Sequence, residues 1–555
     1  MGKNKAKKDD KDGGGEEHNQ MYSALAIGLV CIVIGLPLWW KTTTTYRASL
    51  PYSEIDTLAQ TQMQYKVPVN IRSCLSEPST NENNILKQLQ EKLNQDNPNS
   101  KVSVQYSINV RKCNPNDLDR VHQHQNLQEL DRSFLNTNTD TVGHPVIYLL
   151  SGDHKGFQGI HTYIGKQRIS YVAIHKDDLS NSLDHVVQLL RTTLVNELSM
   201  VKICNAAQGF QHTQADAGTM RAVRSTPGYG ISFSLLNPQP DVLDVKWDIR
   251  QAIQDYLEPF TQKLDEFANF VVDSQVLYYT GISVKPKQSE DKSYYYLSQG
   301  QLPQVITPVE AKLGSHVSTY PSLNFLLYVP KRNHAPLYVV DAKGDQVSTN
   351  AFLSPRWGGV MVYNVQDPTN NTELPAEVMV NMHSAMEVFL SQLRLLIGIP
   401  AQSQGGVSNV HIEQPGASGV TDWEYDVLLR GRTLENIATA SATLVSLSQL
   451  LDKIGNIVIN DDIAQQVYKA VESVNQGHAY LQQGNLYRAF HASKRAIAAS
   501  EKAFFDPSLL ELLYFPDDQK FAIYIPLFLP ISIPVFASLF KVVKWFRARR
   551  KTKQD

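Results

Sequence analysis

Cysteine is scarce in this 555-residue chain, which holds four. Cys31 lies inside an apolar run, leaving Cys74, Cys113 and Cys204 for the long segment beyond it. An odd number allows at most one internal bridge and excludes a disulfide scaffold; sequence alone assigns no pairing among the three. Signatures of chemistry are missing too. No Walker A loop, GxGxxG, GxSxG or paired CxxC occurs. Neither sign of charge dominates, with 52 Lys and Arg against 54 Asp and Glu. That balance gives no footprint for a nucleic-acid partner. Long apolar runs are rare as well, and the two that exist stand near the two ends.

The first run is MYSALAIGLVCIVIGLPLWW, 21–40, and the second is FAIYIPLFLPISIPVFASLF, 521–540. Each is close to the ~20 residues a helix needs to cross a bilayer core, which predicts transmembrane helices over 21–40 and 521–543. Trp39, Trp40 and Tyr524 sit near their ends, where aromatic rings favour the interface. The first run ends in PLWWK rather than a small-x-small cleavage site, so it reads as an uncleaved anchor. The second is followed by KVVKWFRARRKTKQD, which excludes a removable lipid-attachment tail. Lys3, Lys5, Lys7, Lys8 and Lys11 precede the first run, and a second basic cluster from Lys541 to Lys553 follows the other. Both biases place the tails, 1–20 and 544–555, in the cytoplasm and residues 41–520 in a lumen. The Gly-rich first tail reads as disordered.

Between the anchors, β-branched and aromatic runs predict strands at 66–73, 101–110, 144–151 and 167–175, with helices at NNILKQLQEKLNQ and at 178–200. The pattern then restarts. Strands are expected at 230–237, 271–279, 323–330, 336–341 and 359–365, and helices at VKWDIRQAIQDYLEPFTQKLDEFAN, broken at Pro259, and at 376–398. The fold class is therefore α/β, in mixed α+β layers, over 41–420, arranged as two similar halves, 60–205 and 228–400. From 421 to 506 the texture is helical, a hairpin region divided at Gly484. Residues 507–520 form a membrane-approach loop.

Candidate chemistry is thin. Cys204 and His212 match no nucleophile motif and have no evident orienting acid. His122 and His124 stand in a polar stretch without the frame of a metal site. Asp177-Asp178 and Asp461-Asp462 precede helices and read as caps. No catalytic, cofactor-binding or metal-ligating residue is assigned, and no cofactor is expected. Asn370 opens the one glycosylation sequon, in a turn-rich loop. Candidate interface residues are Arg356 and Trp357, Tyr514 and Phe515, and the spaced Pro526, Pro530 and Pro534 of the second anchor. Each of these prolines removes a helical amide donor, which predicts a bent helix that packs against partner spans.

Several strings are recognisable as wholes: GLPLWWKTTTTYRASLPYSEI, GISFSLLNPQPDVLDVKWDI, VVDSQVLYY, YPSLNFLLYVP, NAFLSPRWGGVMVYNV, NIVINDDIAQQVYKAV and AFFDPSLLELLYFPDDQKFAIYIPLFLPISIPVF. They resemble the PIG-S family of GPI transamidase subunits, from the first apolar run to the second. Residues 76–145 and 400–420 resemble it loosely and the Lys-rich tail does not. The resemblance implies a non-catalytic, structural subunit of a complex in the endoplasmic-reticulum membrane that attaches GPI anchors to precursor C-termini. It also implies PIG-K, carrying the nucleophile, with PIG-T, PIG-U and the GPI-anchor attachment protein as partners beside membrane lipid, and a family glycosylation site at Asn370. The competing readings are a membrane-anchored lumenal hydrolase with a cryptic site and a lumenal chaperone for precursor proteins.

Overall fold

A computed structural model of the chain describes residues 13–43, 46–75, 82–93, 102–134, 141–175, 178–207, 223, 225–313, 320–365, 374–399, 409–454, 457–511 and 517–551. They fall into two compact units. The larger comprises Gln60–Ala442 with Glu472–Ile497, and the smaller Met1–Ala59, Thr443–Val471 and Ala498–Asp555.

The larger unit is built on two sheets. Its strands begin with β1 (Met63–Ser73), β2 (Val102–Lys112), β3 (Val146–Ser151), β4 (Thr162–Ile164) and β5 (Ile169–Ile174). They continue with β6 (Gly228–Asn237), β7 (Leu243–Lys246), β8 (Asn269–Tyr278), β9 (Lys287–Gln288), β10 (Tyr295–Leu297), β11 (Ser322–Tyr328) and β12 (Leu337–Val339). Then come β13 (Ala351–Ser354), β14 (Gly358–Val362), β15 (Ala376–Met379) and β16 (Val410–Ile412). The first sheet runs β16-β4-β5-β3-β1-β2 and the second β13-β14-β11-β6-β8. From the outer edge inward, β2-β1-β3-β5-β4 and β8-β6-β11-β14-β13 correspond strand for strand. All neighbours are parallel except the hairpin pair that closes each series, β4 with β5 and β13 with β14. Small ribbons, β12-β10-β9 and β15-β7, accompany the second sheet.

Parallel strands are covered on both faces and so read as continuous apolar runs. VIYLLS in β3, ISYVAI in β5 and GGVMV in β14 are buried almost throughout. Tyr148 stacks on Tyr171 at 5.8 Å in the core of the first sheet. Phe233, Phe325 and Phe389 form the matching cluster in the second, with ring centroids 5.6–5.7 Å apart. The helix Leu179–Gln188 follows β5, capped by Asp178, and Met382–Ile397 follows the second series, capped by Asn381. Cys74 and Cys113, just beyond β1 and β2, form a disulfide.

Three helices differ from expectation. The one expected over 376–398 starts at Met382, because Ala376–Met379 pair with β7. The one expected over 178–200 widens into a π turn at Leu189–Leu194 and breaks at Asn196, whose φ is 57°. The third passes through a π turn at Ile253–Leu257, which brings Pro259 into the first turn of Glu258–Lys263, where its missing amide costs no helical bond.

The helices Asp422–Lys453, Asp461–Gln482 and Leu486–Phe504 follow, the last two joined through Gly484 at φ +77°. In the smaller unit, Tyr46–Ala48 lie against Ile459 through main-chain bonds, and the Tyr46 hydroxyl donates to Asp461 at 2.7 Å. Its two terminal helical segments run antiparallel. Gly13–Val30 continues through a π turn, Cys31–Gly35, into Leu36–Thr43, and the other segment is Asp517–Lys551. Trp39 meets Tyr524 and Phe528 edge-on, while Gly28 faces Val535 and Leu539. No single helix among the described residues is long and apolar enough to cross a membrane. Ala522–Pro530 and Ser532–Lys544 meet that length and composition together, bent by 52°.

Candidate functional site

The densest buried polar cluster was missed from sequence. It lies along the first turns of Asp422–Lys453, where Glu424, Asp426, Arg430 and Arg432 are all buried. Asp426 takes a two-pronged bond from Arg168, at 2.8 and 3.0 Å, and a third from the Gly143 amide at 2.9 Å. Arg430 donates to the Tyr65 hydroxyl and to the Leu194 and Gly143 carbonyls. These partners all belong to the first sheet and its connections.

Glu424 and Arg432 turn to the other half. Arg394, on Met382–Ile397, donates to Glu424 at 2.7 Å. Arg432 donates to the Val223 and Ile397 carbonyls and to Glu435. One helix therefore keys two sheets through ionic groups on its two sides. Burial opposes the charge of Arg430, but the Tyr65 hydroxyl and the Asp426 carboxylate hold its pKa above the ordinary value. Ion pairs this deep are strongly coupled to their partners, since deleting one member strands a charge. In sequence these charges are interleaved with Trp423, Tyr425, Leu428 and Leu429 and do not gather on one polar stripe, a pattern that does not by itself tell a buried charge from a solvated one.

A cleft of about 510 Å³ opens beside β4 and β16, lined by Asn126, Gln128, Tyr163, His411, Glu413 and Gln414 among others. Glu413 accepts from Gln128 at 2.7 Å and from the Tyr163 hydroxyl at 2.9 Å. His411 stacks on Tyr163 with centroids 5.2 Å apart. Burial pushes the Glu413 carboxyl up, and the bonds from Gln128 and Tyr163 with the Lys166 charge bring it below its usual value. Asp131, behind it, is pushed up to about 6 by burial, with the Glu413 charge adding to the rise. Its Oδ2 accepts the Lys166 amide at 3.2 Å. This cleft is polar and pre-organised, but its acid is already saturated by protein donors.

The residues singled out from sequence are scattered. Arg356, at φ 59°, is exposed in the turn between β13 and β14, and Trp357 packs against the apolar cluster beneath it. A Cβ on the neighbouring Gly358 would collide with the Asn324 carbonyl, so the turn is tightly seated. Pro526, Pro530 and Pro534 lie within Asp517–Lys551, around its bend. Asn370, Tyr514, Phe515, His212 and Asp177 lie outside the described residues. Cys204 is wholly buried on Glu197–Ala207. His124 ends the short helix Pro115–Gln123, and its carbonyl lies 3.1 Å from His154 Nε2. Asp178 caps as expected, and of Asn460-Asp461-Asp462, the group expected to cap the later helix, Asn460 does so, its side chain accepting from the Ile463 amide. Among the described residues, no group of three or more His, Cys, Asp or Glu could hold a metal.

The fold and this cluster define an α/β protein with two sheets of corresponding strand order, joined through one helix. The chain belongs to the PIG-S family: the model of the phosphatidylinositol-glycan biosynthesis class S protein matches residues 26–549. It is similar to the GPI-anchor transamidase component PIGS of Bos taurus, 44% identical over 537 residues, 94% of each chain. The Homo sapiens protein of that name gives the same identity and coverage. Similarity extends to the GPI transamidase component PIG-S homolog of Schizosaccharomyces pombe, 26% identical over 545 residues, 97% of this chain and 86% of the relative.

Proposed function

We propose that this chain serves GPI-anchor attachment as a non-catalytic, structural subunit of the transamidase. The observation that carries the reading is the match along 94% of both chains to relatives named as components of that enzyme. Structural features support the finer parts of it. Cys204, fully buried, has no path to a substrate carbonyl. Ile32, Val33, Leu36, Ile533, Phe536 and Phe540 expose more than half of their surface, as lipid-facing or partner-facing side chains would.

In this reading the chain resides in the endoplasmic-reticulum membrane with two spans, both termini cytoplasmic and residues 41–520 lumenal. PIG-K, PIG-T, PIG-U and the attachment protein are its partners. Arg356, Trp357, Tyr514, Phe515 and the three prolines are contact residues, and Asn370 carries a glycan. Affinity purification from gently solubilised membranes tests the assembly. A cysteine-protease subunit should co-purify, and recovery of a lone monomer would refute the reading. Cys204→Ala should leave anchor attachment intact; an inactive but assembled complex would favour the hydrolase instead. Asn370→Gln should abolish a glycosidase-sensitive shift in mobility.

A further inference from the structure

Strands β2 and β8 hold the same place in their sheets, each the outer strand beside the first. Their outer sides differ. Along β2 the residues with greatest exposure are polar: Gln105, Ser107, Asn109, Arg111 and Lys112. The helices Glu82–Leu93 and Glu197–Ala207 also pack on it. Among the described residues β8 has β6 as its only strand neighbour, and no helix packs comparably along it. It nevertheless exposes Val271 (47%), Val276 (36%) and Tyr278 (51%).

The ladder shows which backbone groups are free. The Asn269 amide donates to Pro227, just before β6, and the Tyr279 amide to Asn237 at its end. With a period of two, odd-numbered residues bond to β6, and Phe270, Val272, Ser274 and Val276 turn their N–H and C=O groups outward; so does the Tyr278 amide, while the Tyr278 carbonyl accepts from the Thr280 hydroxyl. A long edge that exposes apolar side chains, and that nothing among the described residues covers, is what folded proteins avoid unless another strand occupies it. Asp273, exposed in mid-strand, forms no ion pair among the described residues. An occupant would therefore alternate apolar residues and bring a Lys or Arg to that point.

We propose that the outer edge of β8 pairs, strand on strand, with an extended segment of another transamidase subunit, an inference that rests on the assembly reading above. The test is amide exchange measured on peptides covering 269–279, in the full-length chain alone in detergent and in the purified complex. Outward amides should slow by roughly ten-fold or more on assembly. Val276→Pro removes one outward donor and spares the β6 ladder, so it should abolish the protection, whereas Val276→Thr should retain it. A complex that assembles without added protection at 269–279 overturns the edge inference and leaves the assembly reading standing. Failure of any complex to form overturns both. Protection that rises with concentration of the isolated chain would assign the edge to a second copy and overturn the proposal.

Discussion

In the first sheet the Cys74–Cys113 bridge ties the ends of β1 and β2, and helices lie along the outer strand. In the second the equivalent strands have no such bridge, and β8 stands open with valines and tyrosine outward. The strand order is the same, so topology alone does not decide which edge is closed. The bridge and the packed helices close the outer edge of the first sheet. The open edge leaves the second half a surface that another chain can complete.

Substitutions can break this comparison at the keys. Asp426→Ala removes the carboxylate that faces Arg168 and loosens the first sheet, while Glu424→Ala removes the one that faces Arg394 and loosens the second. Each should cost about 3–5 kcal/mol. Amide exchange should rise first in β3 for Asp426→Ala and in β11 for Glu424→Ala; identical patterns would mean the two keys are not separate. Removing the bridge by Cys74→Ser with Cys113→Ser should cost about 2–4 kcal/mol, through the 39-residue separation it closes. Chemical denaturation should show the loss, and reductant should weaken the parent but not the variant.

Asp131 offers a pH test confined to the first half. Its carboxyl is pushed up to about 6, so between roughly pH 4 and 6 the folded state holds a proton the unfolded chain has released. The parent loses stability as pH rises through that window and is level above it. Asp131→Asn should therefore be more stable by about 1–2 kcal/mol at pH 7, with the gain fading below about pH 4. Thermal melts at both pH values decide it, and a gain that persists in acid would reject the assignment. The smallest effect sharpens the likeness of the halves. Asp178→Ala and Asn381→Ala each remove the cap of a corresponding helix and should each cost about 1 kcal/mol.

The central strands were legible because parallel strands are buried on both faces. FSLLN in β6 and YVAI in β5 need no partner to be recognised. β7, β9 and β15 were not, since LDVK, KQ and AEVM have neither the length nor the alternation that marks a strand. The restart of the pattern near residue 228 was readable, but the order of strands is a long-range property that local pattern does not carry. The ionic keys escaped for a different reason. Charges on a helix ordinarily face water, and nothing local distinguishes Asp426, bound to Arg168, from a solvated aspartate.

The helix Asp422–Lys453 supplies carboxylates to both halves from one late stretch of the chain. Ribosomes deliver the chain from its N-terminus, so Arg168 and Arg394 emerge well before the carboxylates that neutralise them. Until then each half carries a cation with no permanent counter-charge, and neither is finished. The helix can seat all four of its ionic side chains only when both halves have already folded. A substitution that disturbs either half therefore also removes partners from this helix.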